Sequence, residues 1–282
     1  MNGRLLVVGG DGLLGGALVS HWTAVGAPVI ATTRRKPVAG AALLDLSTDS
    51  AGWQILAECK AAVICAGVTN QEACRRDPLG TRRINVEQTL KLVHALTGSG
   101  CFVVFLSTNL VFDGSRPLRH ADEPLCPATE YGRQKADVER ALAGLHRPCA
   151  VVRLTKVVHS ALPLLGTWRE ALSAGRFVNA FSDYVCSPIP LDPTIQCIAR
   201  IAEEQRPGVW QISADDDISY LDIALSMAQK TGCEPALVRA ASGVGKVEHL
   251  PQHTTLDASA VRAQLGVELP QAREAIANVI SP

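Results

Sequence analysis

A doubly wound α/β fold with a parallel sheet is what this sequence predicts, and three observations predict it. From the first residues to about Leu154, short apolar runs alternate with stretches of helical patterning, the signature of successive strand–helix–strand units. No internal repeat interrupts the alternation. The first apolar run, Leu5 to Val8, ends abruptly in glycines at Gly9, Gly12 and Gly15, spaced as a strand-to-helix turn of the dinucleotide-binding kind. Together these read as a Rossmann-type domain over residues 1–155, followed by a smaller substrate-binding lobe over 156–282 from which some chain returns to the core sheet.

Leu5 to Val8 is apolar throughout, as a strand buried on both faces must be. Gly9, Gly12 and Gly15 then let the chain bend, let a pyrophosphate approach bare backbone, and let the first helix pack closely on its strand. The N–H groups of that helix, from Leu13 and Leu14 onward, would face the phosphates. A tight turn needs such glycines with no ligand at all, so the motif does not stand alone.

Ala27 to Thr33 reads as the second strand and runs into Arg34-Arg35-Lys36. An NAD site places a carboxylate at this strand end to meet the ribose 2′-hydroxyl, whereas a 2′-phosphate needs cations. Arg34 and Arg35 therefore favour NADP(H) over NAD(H), the alternative being a solvated basic turn. Ala41 to Leu44 is a third short strand closing on Asp45-Leu46, where an adenine contact and a plain strand-end turn are both open. Ala61 to Cys65 is the fourth, ending in Ala66-Gly67, small residues over which a nicotinamide ribose can lie or which simply pack well. A helix follows over about Arg82 to Leu96, and its Asn85 is of the kind that satisfies nearby backbone.

Cys101 to Leu106 is the fifth strand and ends in Ser107-Thr108-Asn109, hydroxyls placed where open α/β sheets bind their ligands. After a proline-rich loop, a helix runs from Glu130 to about Ala143, and Ala150 to Leu154 supplies the sixth strand. Beyond Lys156 the pattern loosens. Leu164 to Ala174 looks helical, Phe181 to Pro193 reads as a proline-rich loop, and Val209 to Ile212 as a returning strand. Ser219 and Asp222 stand at capping-box spacing ahead of a helix to Lys230 that stops at Gly232. Asp257 can cap a helix ending before Gly266, and Pro270 can start the last one.

The totals exclude several classes. Lysine plus arginine equals aspartate plus glutamate at 27 each, so no global field draws the chain to nucleic acid or to an acidic membrane. No apolar stretch approaches the length of a membrane span. The nine cysteines form no C-x-x-C pair and have no histidine at metal-ligand spacing, so no metal site is expected. Their odd number and the absence of a signal peptide point to a reducing cytoplasm. A homodimer is left open.

Tyr131 and Lys135, four residues apart, share one helix face. A phenol is a poor proton donor near neutrality, but a neighbouring ammonium favours the phenolate. The expected set is therefore Tyr131 as proton donor, Lys135 lowering its pKa and holding the nicotinamide ribose, and Thr108 polarising a substrate carbonyl with Asn109 beside it. An ordinary exposed tyrosine–lysine pair is the alternative.

Gly9-x-x-Gly12-x-x-Gly15, the run Ser107 to Gly114 and Tyr131-x-x-x-Lys135 together resemble the extended short-chain dehydrogenase/reductases, most closely the dTDP-4-dehydrorhamnose reductases. The run Leu250 to Asp257 is similar to that family's R-P-x-x-S-x-L-D, and Leu269 to Ile276 to its L-P-x-W-R-E-A-L. The resemblance implies an NADP-dependent reductase of a keto group on a nucleotide-activated deoxysugar, with catalytic roles at Thr108, Tyr131 and Lys135. It implies cofactor contacts at the first glycine turn, Ala66-Gly67 and Arg34.

The departures fall on the substrate side. Arg153-Leu154-Thr155-Lys156 stands for R-T-S-W, Asp183 to Ile189 for D-Q-x-G-x-P-T, Leu250 for an arginine and Asn109 for an aspartate. Those changes leave room for a second reading, a non-catalytic cofactor-binding subunit resembling the regulatory beta subunit of methionine adenosyltransferase. An epimerase or dehydratase would need tightly held NAD, and Arg34 and Arg35 argue against it.

Overall fold

The computed structural model describes residues 3–35, 41–48, 59–145 and 147–280; Lys36 of the basic run lies outside them. The chain divides into two compact units. One comprises Met1–Val111, Leu125–Arg153 and Ile195–Trp210, the other Phe112–Pro124, Leu154–Thr194 and Gln211–Pro282.

The first unit is built on strands β1 (Arg4–Val8), β2 (Val29–Thr33), β3 (Ala41–Leu43), β4 (Cys59–Ile64), β5 (Phe102–Thr108), β6 (Cys149–Leu154) and β11 (Gly208–Ile212). They form one seven-stranded sheet in the order β11-β6-β5-β4-β1-β2-β3. Pairing is parallel from β3 through β2, β1 and β4 to β5. The chain leaves β1 toward β2 and β3, then re-enters on the other side as β4. A topological switch therefore falls between β1 and β4, where such sheets bind ligands at the strands' carboxyl ends.

Alternation along the strands gives the sheet two buried faces. Leu6, Val8, Ala62, Ile64, Val103 and Phe105 pack with Leu92, Val93 and Leu96 of α4 (Thr89–Gly98) and with Val138 and Leu142 of α5 (Glu130–Ala143). Leu5 and Val7 point to the opposite face, which α1 (Leu13–Ala24) covers with buried Leu18 and Trp22. The Trp22 indole N–H donates to Glu203 of α7 (Leu191–Glu203) at 2.6 Å, fastening those two helices together.

Three local expectations are corrected. The helix expected over 82–96 starts earlier and changes its winding. Asp77 caps Gly80 at 2.9 Å, α3 runs Pro78–Arg82, Arg83–Gln88 winds as a π-helix, and α4 follows. The loop expected over Phe181 to Pro193 holds β9 (Val185–Cys186), β10 (Pro188–Pro190) and the first turn of α7. Pro193 misleads because a first-turn proline gives up no helical hydrogen bond, and Ile195, Ile198 and Ile201 supply the buried face. The last helix, α9 (Ala272–Ile280), is capped by Asp216, which accepts the Ala272 N–H at 2.7 Å, so Pro270 does not start it.

The second unit pairs β10 with β7 (Lys156–Val158), β12 (Ile218–Ser219) with β9, and β13 (Val238–Ala241) with β8 (Val178–Phe181). Its core joins Trp168 and Leu172 of α6 (Pro163–Ser173), Ile223 and Met227 of α8 (Tyr220–Lys230), and Ile276 and Ile280 of α9. Ser219 caps α8 as the capping-box spacing predicts, accepting the Asp222 N–H at 3.0 Å. The Asp257 carboxylate accepts the Ser259 N–H at 2.9 Å, and the π-helical turn Val261–Leu265 beyond it ends at Gly266.

Candidate active site

The glycine turn is fixed by backbone contacts that admit no side chain. Gly9 has φ +87°, and a Cβ there would stand 3.0 Å from Ala66. At Gly15 a Cβ would meet the Gly9 carbonyl oxygen at 2.1 Å. Thr32 holds the turn from β2, its hydroxyl accepting the Gly9 N–H at 3.1 Å and its carbonyl the Gly10 N–H at 2.8 Å. Gly12 is the N-cap of α1 and carries no side chain to satisfy the first N–H groups, leaving Leu13 and Leu14 at an open, electropositive helix start. Leu13 is exposed and Leu14 half-buried. Bare backbone at a helix N-terminus fits a pyrophosphate.

The close contact of Gly9 with Ala66 brings the end of β4 against this turn, and the Cys65 N–H donates to Val8 O at 2.9 Å. Asn85, in the π-helical segment, clamps the following loop from both sides. It accepts the Val68 N–H at 2.7 Å, donates to the Val68 carbonyl at 2.9 Å, and donates to Gln134 Oε1 of α5 at 2.8 Å. Gln134 in turn reaches the Thr81 hydroxyl at 2.9 Å. Asn85 thus serves backbone, as its place in the sequence suggested, while its tie to the residue before Lys135 was not foreseeable from spacing.

At the β2 end, Arg34 and Arg35 are exposed. Arg35 Nε lies 3.6 Å from Asp11 of the glycine turn, and hydrogen bonds from Ser47 hold the Asp45 carboxyl below its usual range, with the Arg34 charge adding a smaller pull. Leu46 differs from its partner in the expected cofactor set: its side chain is buried in the core with Leu44.

Thr108 ends β5, Asn109 opens the turn beyond it, and Tyr131 and Lys135 enter from α5. Thr129 caps α5 by accepting the Gly132 N–H at 3.1 Å, which sets Tyr131 in the first turn. Gly132 then allows the closest approach, since a Cβ there would sit 2.1 Å from Leu110 O. The Thr108 hydroxyl accepts the Leu110 N–H at 3.2 Å and lies 3.4 Å from Asn109 Oδ1.

Lys135 Nζ donates to Leu106 O at 2.8 Å, lies 4.4 Å from the Phe105 ring centroid and 5.9 Å from that of Tyr131. Burial pushes its pKa down to about 8, opposed by Glu139 and the Cys65 and Cys74 thiols. The expected lowering of the Tyr131 pKa is not seen. Burial, with Cys74 beside it, pushes the phenol up instead. The ammonium is committed to the β5 backbone, and desolvation outweighs it.

Two residues absent from the expected set complete this region. Glu139, buried on α5, accepts the Ser107 hydroxyl and is held by Arg153 of β6 through Nη2 at 2.7 Å and Nε at 3.0 Å. Its place eight residues after Tyr131 on the same helix face was the available signal. Among the described residues no cluster of His, Cys, Asp and Glu could hold a metal, all nine cysteines are free thiols, and no helix is long and apolar enough to cross a membrane.

Comparison with known proteins supplies an independent line. The model of the RmlD substrate binding domain matches residues 3–282. Methionine adenosyltransferase 2 subunit beta of Xenopus laevis is 28% identical over 241 residues, 80% of this chain and 71% of that protein. A dTDP-4-dehydrorhamnose reductase of Streptomyces griseus is 34% identical over 143 residues, 49% of this chain and 44% of that protein. The crystal structure of dTDP-4-dehydrorhamnose reductase from Bacillus anthracis in complex with NADP superposes with a TM-score of 0.86 over 98% of both chains at 18% identity, a likeness of fold.

Proposed function

Because this chain belongs to the RmlD substrate binding domain family, we propose that it is an NADP-dependent reductase acting on the keto group of a nucleotide-activated deoxysugar. One feature supports this reading most: Lys135 is anchored on the β5 backbone one helical turn from Tyr131, whose phenolic oxygen has no hydrogen-bond partner among the described residues. The Tyr131 ring is buried while its oxygen is not sealed from solvent, so the hydroxyl is left open to a ligand.

The pyrophosphate would lie on the Gly9 to Gly12 backbone and the N–H groups of Leu13 and Leu14, with Ala66-Gly67 below the nicotinamide ribose. Arg34 and Arg35 would meet the 2′-phosphate, with Asp45 and the Leu46 backbone on the adenosine side. NADPH supplies the hydride when bound. Thr108 donates to the carbonyl oxygen with Asn109 beside it, Tyr131 delivers the proton to that oxygen as it becomes an alkoxide, and Lys135 holds the ribose and stabilises the phenolate left behind. The ketone gains one hydride and one proton and leaves as the alcohol. The nine free thiols fit a reducing compartment such as the cytoplasm.

The experiment is a titration with NADPH and NADH followed by a screen of 4-keto nucleotide sugars, with Tyr131→Phe as control. Turnover of one of them by the wild type, lost in the variant, supports the reading. NADPH binding with no substrate turned over faster than by Tyr131→Phe overturns it in favour of a regulatory, cofactor-binding subunit. The similarity to the methionine adenosyltransferase subunit and the altered substrate-side motifs at Lys156, in the run Asp183 to Ile189 and at Leu250 favour that second reading.

A further inference from the structure

Tyr131, Lys135 and Glu139 recur every four residues on α5 and so line one face of the helix. The proposed reaction uses the first two. Glu139 is 5% exposed, and a carboxylate taken out of water is tolerated only when paired and hydrogen-bonded. It is both. Arg153, 3% exposed, grips it through two nitrogens, and the Ser107 hydroxyl donates to it.

Ser107 stands between the two β5 residues that matter to the site. Leu106 gives its carbonyl to Lys135, and Thr108 carries the hydroxyl placed beside the substrate. Consecutive turns of α5 thus tie consecutive residues of β5, Lys135 to Leu106 and Glu139 to Ser107. The groups facing the Lys135 ammonium are Tyr131 and Glu139 on α5, Cys65 after β4 and Cys74 on α2 (Gln71–Arg76), while β5 offers the Phe105 ring and the Leu106 carbonyl. Among the described residues, Glu139 is the one carboxylate in that ring of neighbours.

We infer that Glu139 is a positioning residue: a buried counter-charge that keeps Lys135 an ammonium and, through Ser107, holds the end of β5 carrying Thr108 in register with Tyr131. Its consequence for turnover rests on the reductase reading; its effect on Lys135 does not.

The test reads Lys135 in the resting protein, by competitive acetic anhydride labelling across pH with mass spectrometry. Wild-type Lys135, its pKa pushed down by burial to about 8, should be labelled with a midpoint well below that of an exposed lysine. Glu139→Gln keeps an acceptor for Ser107 but removes the charge, and the midpoint falls by roughly one unit. Glu139→Asp restores it, and Ser107→Ala, which keeps both charges, leaves it in place. If Glu139→Gln does not fold, Glu139→Gln with Arg153→Met removes both buried charges together and is read the same way. An unmoved midpoint in the foldable variant, or an equal fall in Ser107→Ala, overturns the assignment. Failure of the wild type to reduce any keto sugar would overturn the reductase reading while leaving the labelling result to stand by itself.

Discussion

Gly132 lies directly against the carbonyl oxygen of Leu110, where a Cβ would stand 2.1 Å from it. That contact lets α5 settle on the 3-10 turn Asn109–Val111 that follows β5, and so sets Tyr131 beside the strand end. The Leu110 N–H is already engaged by the Thr108 hydroxyl, so the turn can yield only by disturbing Thr108. Gly132→Ala should therefore cost more than the ~1–3 kcal/mol typical of overpacking and should lower kcat at least about tenfold in the fraction that remains folded. Denaturant unfolding with steady-state kinetics checks both, and wild-type turnover in this variant would remove the contact from the argument.

The three glycines of the first turn should not behave alike. A Cβ at Gly15 would collide with Gly9 O at 2.1 Å, whereas at Gly12 it would meet the same oxygen at 3.5 Å, an ordinary contact. Gly15→Ala should fold poorly. Gly12→Ala should fold with nearly wild-type stability yet bind NADPH at least about tenfold more weakly, because the methyl group occupies space the phosphates need. Calorimetry and fluorescence titration separate the two outcomes.

Arg34→Ala and Arg35→Ala should raise the KM for NADPH far more than that for NADH, since both side chains are exposed at the β2 end. Arg35 already lies 3.6 Å from Asp11, so Arg34 should show the larger effect. Equal changes toward both cofactors would refute the 2′-phosphate assignment.

How much of this could be read from the chain follows from where the information sits. The strands from Leu5 to Leu154 were legible because buried parallel strands are continuous apolar runs, and the glycine turn because its spacing is dictated locally. The α7 helix was hidden by Pro190 and Pro193, and the α9 cap comes from Asp216, 56 residues away from Ala272. The Asn85–Gln134 clamp and the Ser107–Glu139–Arg153 cluster span 49 and 14 to 32 residues respectively, so helical spacing places Glu139 on the face of Tyr131 and Lys135 but no local pattern announces the partners of either group. The direction of the Tyr131 pKa was missed for the same reason. Spacing places Lys135 one turn away, but only the fold reveals that the ammonium is given to Leu106.

Lys135 also predicts a pH dependence. Its folded pKa of about 8 lies below the ordinary value of 10.5, so between these limits the unfolded chain holds a proton the folded one has lost. Its penalty on stability is therefore fully present below about pH 8 and is relieved as pH rises toward 10.5. Turnover should run the other way, because losing the ammonium removes the charge that stabilises the Tyr131 phenolate. The kcat/KM profile of the free enzyme should fall above about pH 8, and Lys135→Met should abolish that limb along with most activity. A flat profile to pH 9.5 would break the link between this lysine and the proton transfer.

Asn85 offers a test of how the loop after β4 is held. Its oxygen accepts the Val68 N–H, while its amide nitrogen faces Val68 O at 2.9 Å, Gln134 Oε1 at 2.8 Å and the Cys74 sulfur at 3.9 Å. Asn85→Ala removes these four bonds and leaves buried partners unsatisfied, a loss on the order of 1–3 kcal/mol. Asn85→Asp keeps the first bond but turns a carboxylate oxygen toward the two acceptor oxygens, Val68 O and Gln134 Oε1. A buried charge aimed at like partners is worse than a cavity, so the aspartate should be the less stable of the two, despite being nearly isosteric. Its destabilisation should shrink as the pH is lowered and the carboxyl gains the proton it can donate. Both variants should also weaken NADPH binding, since Gly67 next to Val68 borders the proposed ribose site and a Cβ on it would already touch Asn85 Oδ1 at 3.1 Å. Urea midpoints at two pH values decide the matter. An aspartate variant more stable than the alanine variant at neutral pH would mean that the side chain does not clamp the loop as drawn.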